Sequence, residues 1–309
     1  MEKEQVVIIG SGCAGATAAV YTARADLSPV IFEGMEPGGQ LTTTSVIENY
    51  PGFVEGIDGF ELMSRMKSQA ERFGARFEYG EVASLTKAEG GFAVSVKGRD
   101  TVWAKTVIVA SGARARMLGL PGERELTGHG LSVCATCDGA FFRNVPVSVV
   151  GGGDSAMEEA LFLTRFASEV HVLHRRDKFR ASKIMADRLL ASDKVKVHWN
   201  TEVVGIEDKD GSVAAISLQD TVSKKTRRHE TNGLFYAIGH IPNTDFIEQG
   251  LVTLDAEGYI VSPGVTTETA GLFVAGDVHD REYQQAVTAA GEGCRAALEA
   301  EAYLAAQGA

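Results

Sequence analysis

Two cysteines, Cys134 and Cys137, are separated by two residues and are followed directly by Asp138. Cysteines at this spacing can form a short disulfide that exchanges electrons reversibly with other thiols. Asp138 places a carboxyl group beside the pair, where it is a candidate proton donor. Two alternatives are half of a zinc site, which needs two more ligands at matching spacing, and a pair of inert core thiols. The remaining cysteines, Cys13 and Cys294, are isolated, and packing inside helices is their favoured interpretation.

A glycine-rich turn near the start of the chain follows the apolar run 6–9. Its glycines, Gly10, Gly12 and Gly15, have the G-x-G-x-x-G spacing of a dinucleotide-binding turn. In such a turn the first glycine makes the bend and the second lets a pyrophosphate approach the backbone, while the third lets the helix pack against the strand. Glu33 follows at the distance expected of a carboxylate that binds a ribose 2′-hydroxyl.

A second turn, Gly151, Gly153 and Ala156, repeats this spacing, and alanine is allowed at the third position. One such turn alone is weak evidence, but two copies within strand–turn–helix–strand segments indicate two dinucleotide sites. Two such sites beside Cys134 and Cys137 give electrons a route to the cysteines, so a redox-active dithiol is the favoured interpretation of that pair.

The second unit differs from the first at the end of its second strand. Where the first unit has Glu33, the second has His174, Arg175 and Arg176. A carboxylate would repel a ribose 2′-phosphate, whereas each hydrogen bond from a guanidinium to phosphate contributes roughly 1.5–3 kcal/mol. The sequence therefore predicts a ribose without 2′-phosphate at the first site and NADP(H) at the second.

The secondary structure that positions these residues can be predicted from apolar runs and glycine turns. Helices are predicted over 14–25 and 156–164, and buried strands over 30–32, 107–112, 170–173, 234–239 and 272–276. Antiparallel strands are predicted over 92–96 and 213–218. The charged residues of 224–228 predict a solvated hairpin.

Length and composition limit the possible classes of protein. A chain of 309 residues suggests two domains, and 44% hydrophobic with 23% charged residues is ordinary for a globular protein. The net charge of −11 argues against nucleic-acid binding. No apolar run approaches the ~18 residues of a membrane span, and no signal peptide is evident, so we expect a cytoplasmic protein.

A series of further motifs runs along the chain. They are GSGCAG at 10–15, GGQLTTT at 38–44, ENYPGF at 48–53, CATCDG at 134–139, GGGDSAMEEA at 151–160, HRRDKFRAS at 174–182, AIGHIPNT at 237–244, AGDV at 275–278 and QAVTAAGEGC at 285–294. With these motifs the chain resembles, over essentially its whole length, the low-molecular-weight NADPH-dependent thioredoxin reductases of the bacterial and plant flavoprotein type.

The resemblance implies an α/β fold of two Rossmann-like dinucleotide-binding domains, in three layers with small antiparallel sheet additions. An FAD-binding domain would comprise 1–115 and 244–309, and an NADPH-binding domain, 116–243, would carry the cysteine pair. The family works as a homodimer and rotates one domain against the other during turnover.

The resemblance also implies which residues bind the cofactors FAD and NADPH. The FAD-binding residues would be Gly10, Ser11, Gly12, Ala14, Gly15, Glu33, Gly39, Gln40, Asn49, Gly276, Asp277, Gln285 and Ala286. The NADPH-binding residues would be Gly153, Asp154, Ser155, His174, Arg175, Arg176, Arg180 and Gly239.

The activity implied is reduction of a thioredoxin disulfide. Hydride would pass from NADPH to FAD and then to the Cys134–Cys137 disulfide, with Cys137 nearer the flavin and Asp138 moving a proton. Cys134 would then attack oxidised thioredoxin through a mixed disulfide. One alternative is the same flavin–dithiol core acting on another protein or small-molecule disulfide. A second is a flavin-binding sensor, which would not need CATCDG and a complete NADPH site.

Two residues depart from the family pattern. Gln284 replaces the arginine that commonly lies near the flavin, and we expect this to change the flavin environment or the contacts between domains. Cys13 replaces a proline in the first turn, a change that we expect to be neutral.

Overall fold

The chain folds into two compact units in a computed structural model that describes residues 3–43 and 46–308. The first unit comprises Met1–Arg114 and Ile241–Ala309, and the second is the continuous segment Ala115–His240. Thr44, which ends the GGQLTTT motif, lies outside the described residues. Within the described part of the chain, no helix has both the length and the apolar character needed to cross a membrane.

The elements of both units are numbered here in chain order. The strands are β1 (Lys3–Ile9), β2 (Val30–Phe32), β3 (Val46–Ile47), β4 (Ile57–Asp58), β5 (Arg76–Glu78), β6 (Val82–Ala88), β7 (Gly91–Val96), β8 (Val102–Val109), β9 (Ala113–Ala115), β10 (Leu131–Ser132), β11 (Pro146–Gly151), β12 (Glu169–Leu173), β13 (Val195–His198), β14 (Thr201–Lys209), β15 (Ser212–Asp220), β16 (Thr226–Glu230), β17 (Gly233–Ala237), β18 (His240–Pro242) and β19 (Leu272–Val274). The helices are α1 (Cys13–Arg24), α2 (Gly59–Glu71), α3 (Glu123–Leu126), α4 (Ala135–Asp138), α5 (Asp154–Leu163), α6 (Lys183–Leu190) and α7 (Ala286–Ala306), with 3₁₀ turns at Gly39–Thr43 and Gly139–Phe142.

The first unit is built on a seven-stranded sheet. Strands β5, β2, β1, β8 and β19 are parallel, and β7 and β6 continue the sheet from β8 as an antiparallel pair. Both faces of β1 are covered, because Val6 and Ile8 pack into the cluster that includes residues of α1 and α7, whereas Val7 and Ile9 pack into the cluster on the other face. A strand buried on both faces requires the continuous apolar run seen in the sequence.

The second unit is built on a five-stranded parallel sheet of order β10-β17-β11-β12-β13. Val170 and Val172 of β12 pack with residues of α5 and α6, whereas Leu173 packs with residues of the antiparallel sheet β14-β15-β16. The second unit therefore has three layers, helices, a parallel sheet and an antiparallel sheet, and the predicted α/β fold class is confirmed.

Both predicted helices that follow glycine turns are present, although each begins earlier than predicted. Helix α1 begins at Cys13 and α5 begins at Asp154. In both cases the preceding glycine, Gly12 or Gly153, is the extended N-cap residue, so the helix starts directly after the second glycine of the turn. The amide groups of the first helical residues therefore face the position that a phosphate group would take.

Candidate active site

The first glycine turn has the close approaches that its spacing predicts. A Cβ atom at Gly10 would lie 2.3 Å from the carbonyl oxygen of Ala110, and one at Gly15 would lie 1.9 Å from the carbonyl oxygen of Gly10. At Gly12, by contrast, the nearest atom to a Cβ would be 4.0 Å away. The turn is therefore tight at its first and third glycines and open at the second, where a pyrophosphate needs space.

Glu33 lies directly after β2 and is buried. Its carboxylate accepts a hydrogen bond of 2.9 Å from Lys67, which fixes one carboxylate oxygen. The hydroxyl of Ser11 lies 3.4 Å from the carbonyl oxygen of Glu33 and accepts from the amide of Gly38 at 2.9 Å. Ser11 thus connects the glycine turn to the strand end that carries the predicted ribose-binding carboxylate.

Loop residues of the first unit also meet near this turn. A Cβ atom at Gly39 would lie 3.4 Å from the Cα atom of Gly12, so the 39–43 segment runs against the glycine turn. The side chain of Asn49 donates to that of Gln285 at 3.3 Å. Gln40 donates to the carbonyl oxygen of Ala113. These contacts bring together predicted FAD residues from both ends of the chain.

The residues after β19 complete the first unit's candidate site. Gly276 lies against α1, because its Cβ would lie 3.0 Å from the Cβ of Ala14. Burial, together with the nearby acids Asp280 and Glu292, raises the pKa of Asp277 to about 7. Ala286 begins α7, after the N-cap residue Gln285. A half-buried carboxyl group at this position is suited to hydrogen bonding with the hydroxyl groups of a ligand.

The second glycine turn has the same arrangement of tight and open positions. A Cβ atom at Gly151 would lie 2.5 Å from the carbonyl oxygen of Ala237 and 2.6 Å from the Cβ of Ala156. At Gly153 the nearest atom is the guanidinium of Arg180, 3.5 Å away. A cation therefore lies over the open glycine, which is the position expected for phosphate.

The loop that carries this cation is tied to the start of α5. The backbone amide of Arg180 donates to the carbonyl oxygen of Gly152 at 2.8 Å. Asp154 accepts from the amide and the hydroxyl of Ser182, at 2.9 and 2.7 Å, and these bonds lower the pKa of Asp154. Ser155 follows at the second position of α5 and is exposed. The loop is therefore held beside the helix N-terminus.

Three arginines form an exposed cationic patch at this end of the parallel sheet. Arg175, Arg176 and Arg180 are all exposed, and none of their side chains has an ion-pair partner among the described residues. Because the carboxyl ends of the parallel strands β11 and β12 meet at one edge, Arg175 and Arg176 follow β12 at the edge where the glycine turn follows β11. An unpaired patch of guanidinium groups at a helix N-terminus favours a bound phosphate.

His174, predicted from the resemblance to bind NADPH, makes backbone contacts instead of facing outwards. Its ring nitrogens lie 3.0 Å from the carbonyl oxygen of Gly151 and 2.8 Å from that of Lys178. A Cβ at Gly152 would lie 2.2 Å from the same ring. These contacts give His174 a role in shaping the turn and the arginine loop, and its direct contact with NADPH stays a prediction.

Gly239, another predicted NADPH residue, has φ +91° and lies near Arg116.

Cys134 and Cys137 form a disulfide. Cys134 is the N-cap residue of α4, and its sulfur accepts from the amide of Cys137 at 3.2 Å. The hydroxyl of Thr136 lies 3.4 Å from the same sulfur. After reduction, these contacts would stabilise a thiolate at Cys134, which is the reactive form of cysteine. By contrast, Cys13, the first residue of α1, has its pKa raised to about 12 by burial and by Asp277, so this thiol is unreactive.

Asp138 lies at the end of α4 beside the disulfide. Burial raises its pKa, although the hydroxyl of Ser132, which donates to Asp138 at 2.6 Å, partly opposes that effect. Ser132 is itself buried and also accepts from the amide of Cys134 at 3.1 Å. A half-buried carboxyl group with a raised pKa keeps its proton to a higher pH than an exposed one, which suits an acid serving the dithiol.

Comparison with known proteins agrees with this geometry. The profile of the pyridine nucleotide-disulphide oxidoreductases matches residues 4–293. The chain belongs to the pyridine nucleotide-disulphide oxidoreductase family. Two curated members named thioredoxin reductase are close relatives. The one from Mycolicibacterium smegmatis is 53% identical over 98% of this chain and 97% of its own length, and the one from Streptomyces clavuligerus is 50% identical over 97% and 94%.

Solved structures within the pyridine nucleotide-disulphide oxidoreductase family have the same fold. A thioredoxin reductase from Streptococcus pyogenes is 41% identical and matches with a TM-score of 0.93 over 98% of this chain and 99% of that one. Another from Giardia duodenalis is 38% identical, with a TM-score of 0.93 over 99% and 100%. The resemblance inferred from the motifs is confirmed, and the chain is an oxidoreductase that acts on a disulfide.

One residue of this oxidoreductase that sequence reasoning missed is Glu159. Its carboxylate, on α5, accepts from the amide of Ala135 at 3.3 Å, so it contacts the first residue of α4. Burial raises the pKa of Glu159 to about 7. The available signal was its spacing, because Glu159 lies three residues after the buried Ala156, on the helix side that faces the interior.

Proposed function

We propose that this chain is an NADPH-dependent reductase of thioredoxin disulfides. The observation that carries the proposal is the disulfide of Cys134 and Cys137 within a unit whose glycine turn is faced by the guanidinium of Arg180, a cation with no ion-pair partner among the described residues. A pyridine nucleotide at that turn would supply electrons to the unit that holds the disulfide. The names of the relatives, thioredoxin reductase, support thioredoxin as the oxidised partner.

The residues of the two turns fit the two proposed cofactors. The open space at Gly12 and the buried carboxylate of Glu33 suit the pyrophosphate and the ribose of FAD. Gly153, Arg175, Arg176 and Arg180 suit the pyrophosphate and the 2′-phosphate of NADPH. When bound, these cofactors supply hydride transfer and the two electrons that reduce the disulfide.

The dithiol then carries out thiol–disulfide exchange. The thiolate of Cys134, stabilised by the amide of Cys137, attacks one sulfur of the thioredoxin disulfide and displaces the other as a thiolate. Cys137 next attacks the sulfur of Cys134 in the mixed disulfide. The second step restores the Cys134–Cys137 disulfide and releases thioredoxin with two thiols, so two electrons have moved. Asp138 supplies or takes up a proton at these sulfurs.

The assembly and location of the protein extend this proposal. We infer that the protein is a homodimer, as the resemblance implies, and that it acts in the cytoplasm, as the sequence leads us to expect. Light scattering after size-exclusion chromatography tests the dimer.

Steady-state assays test the function. NADPH oxidation is measured with a panel of thioredoxins and with oxidised glutathione as a small-molecule disulfide, and product thiols are counted. We expect rapid turnover with at least one thioredoxin and slow turnover with glutathione. Faster turnover with the small molecule would transfer the assignment to the alternative substrate class. NADPH oxidation that no disulfide accelerates would refute a disulfide reductase.

A further inference from the structure

Three histidines of the second unit meet in space although they are distant in the chain. His171 lies on β12, His198 on β13 and His229 on β16. One ligand atom from each residue lies within 4.8 Å of the others. The activity proposed above uses none of these residues.

The strand geometry explains why the three rings face one another. His171 pairs with Lys196 in the parallel sheet, and Leu173 pairs with His198, so residues 171, 173, 196 and 198 share one face. Leu173 packs against Ile216 on that face, and Ile216 pairs with His229 in the antiparallel sheet. The rings therefore lie between the two sheets of this unit, with centroids 4.5–5.4 Å apart.

The hydrogen bonds of the cluster fix the protons on two of the rings. Arg227 contacts Nδ1 of His198 at 3.0 Å, and because a guanidinium only donates, that nitrogen is the acceptor. Nε2 of His198 then carries the proton that it donates to Nδ1 of His171, 2.9 Å away. Nε2 of His171 in turn faces the carboxylate of Glu169 at 3.2 Å. A carboxylate at the outer nitrogen orients a histidine whose inner nitrogen binds a metal.

The third histidine leaves a polar atom without a partner. Nε2 of His229 is the one buried side-chain nitrogen or oxygen among the described residues that makes no hydrogen bond. Such an atom is costly to bury, by roughly 1–3 kcal/mol, unless something pairs with it. Burial lowers the pKa of all three histidines, as expected for imidazole rings packed between two sheets.

We propose that His171, His198 and His229 bind a divalent transition metal ion of the zinc type. Imidazole nitrogens select zinc, copper, nickel and cobalt over calcium and magnesium, which prefer oxygen. Zn–N bonds of about 2.0–2.1 Å place tetrahedral ligand nitrogens about 3.4 Å apart. The present spacing, 2.9 Å for the closest pair and within 4.8 Å for all three, brackets that value. Water would occupy the fourth position, because Glu169 contacts the outer nitrogen of His171.

Three charged groups adjoin the cluster and tune this affinity. Glu169 favours a cation, although Lys196 pairs with its other oxygen at 2.7 Å. Arg227 opposes the metal, because Nδ1 of His198 must take the proton when Nε2 binds the ion. Arg227 is exposed, so its side chain can move away from His198 into solvent. The arginine is therefore expected to weaken binding without preventing it.

The test uses the tag-free holoenzyme with its disulfide oxidised, so that Cys134 and Cys137 cannot bind metal. Calorimetry measures Zn²⁺ binding, and visible absorption of bound Co²⁺ reports tetrahedral nitrogen ligands without the thiolate band that Cys294 would add. We expect one Zn²⁺ per chain. His229→Gln should weaken Zn²⁺ binding at least ~10-fold. His129→Gln alters an exposed histidine outside the cluster and should leave Zn²⁺ binding unchanged. Arg227→Gln should strengthen Zn²⁺ binding.

Each result decides the proposal. Absence of Zn²⁺ binding to the wild-type protein overturns it, and so does binding that His229→Gln leaves unchanged. A thiolate band on adding Co²⁺ also overturns it, because the ligand would then be cysteine. NADPH-dependent reduction of the flavin is measured on each variant to show that the unit is folded, and failure of the thioredoxin assay leaves this test intact.

Discussion

The two units contain the same glycine turn and differ in what lies beside it. In the first, Glu33 is buried and held by Lys67. In the second, Arg175, Arg176 and Arg180 are exposed and have no ion-pair partner in the described chain. The turn supplies a general phosphate site, and the end of the neighbouring strand selects the nucleotide. The units also differ in their cysteines, since Cys13 is an unreactive thiol and Cys134 belongs to a disulfide.

The largest expected effect on thioredoxin turnover comes from replacing Cys134, in contrast to Cys13. Cys134→Ser should reduce thioredoxin turnover to background, because no sulfur remains to form the mixed disulfide. Reduction of the bound flavin by NADPH should persist, and stopped-flow absorbance measures it. Cys13→Ser is the matched control in the first unit and should retain activity. Near-normal turnover by Cys134→Ser would exclude the dithiol mechanism.

The next effect tests the arginines of the second unit. Arg175→Ala combined with Arg176→Ala removes at least two charge-assisted hydrogen bonds, about 3 kcal/mol in total, so KM for NADPH should rise about 100-fold. KM for NADH should change little. Lys224→Ala with Lys225→Ala removes two exposed charges elsewhere and serves as the control. If wild-type enzyme used NADH and NADPH equally, the conclusion that the residues at the strand ends select the nucleotide would be wrong.

A smaller effect is expected from the corresponding residue of the first unit. Glu33→Gln keeps the shape of the side chain but removes the charge that Lys67 and a ribose hydroxyl share. FAD affinity should fall about tenfold, by roughly 1.4 kcal/mol, and KM for NADPH should stay the same. Equilibrium dialysis of FAD measures the change. Glu78→Gln, at the end of β5, is the control. A rise in KM for NADPH with unaltered FAD affinity would reverse the assignment of the two units.

The smallest effect concerns pH and Glu159. Its pKa is about 7 in the folded protein and near 4.5 in the unfolded chain, so the folded state binds more protons between these values. Its contribution to stability is fully present below about pH 4 and is lost as the pH rises through 7. Glu159→Gln should therefore gain stability relative to wild type between pH 5 and 8, by at most about 3 kcal/mol. Thermal unfolding of both proteins at a series of pH values measures this difference in stability. The control Glu158→Gln should change the stability much less. If the stabilities of wild type and Glu159→Gln followed the same dependence on pH, the raised pKa would be contradicted.

The fold was predictable because its signals are local. Each glycine turn combines an apolar run, fixed glycine offsets and a helix-forming segment within about 30 residues, and such segments specify one βαβ unit. The sequence could not show that both ring nitrogens of His174 contact backbone carbonyls, because that depends on how a loop closes. Glu159 and the three histidines were missed for a related reason. Helix spacing places Glu159 on the inner side of α5 but does not reveal its contact with Ala135, and the histidine contacts likewise join elements that only the tertiary structure brings together.

The close packing of α7 on α1 has a consequence for how the protein is made. A Cβ at Gly293 would lie 2.1 Å from the carbonyl oxygen of Ala14, so the last helix is fitted directly against the first. The N-terminal part of the chain leaves the ribosome first, and the apolar surface of α1 stays exposed until α7 has emerged. The continuous segment Ala115–His240 can fold during that interval. We therefore expect nascent chains halted after residue 240, with the ribosome tunnel cleared, to protect the second unit from protease and to leave the first unit open to cleavage.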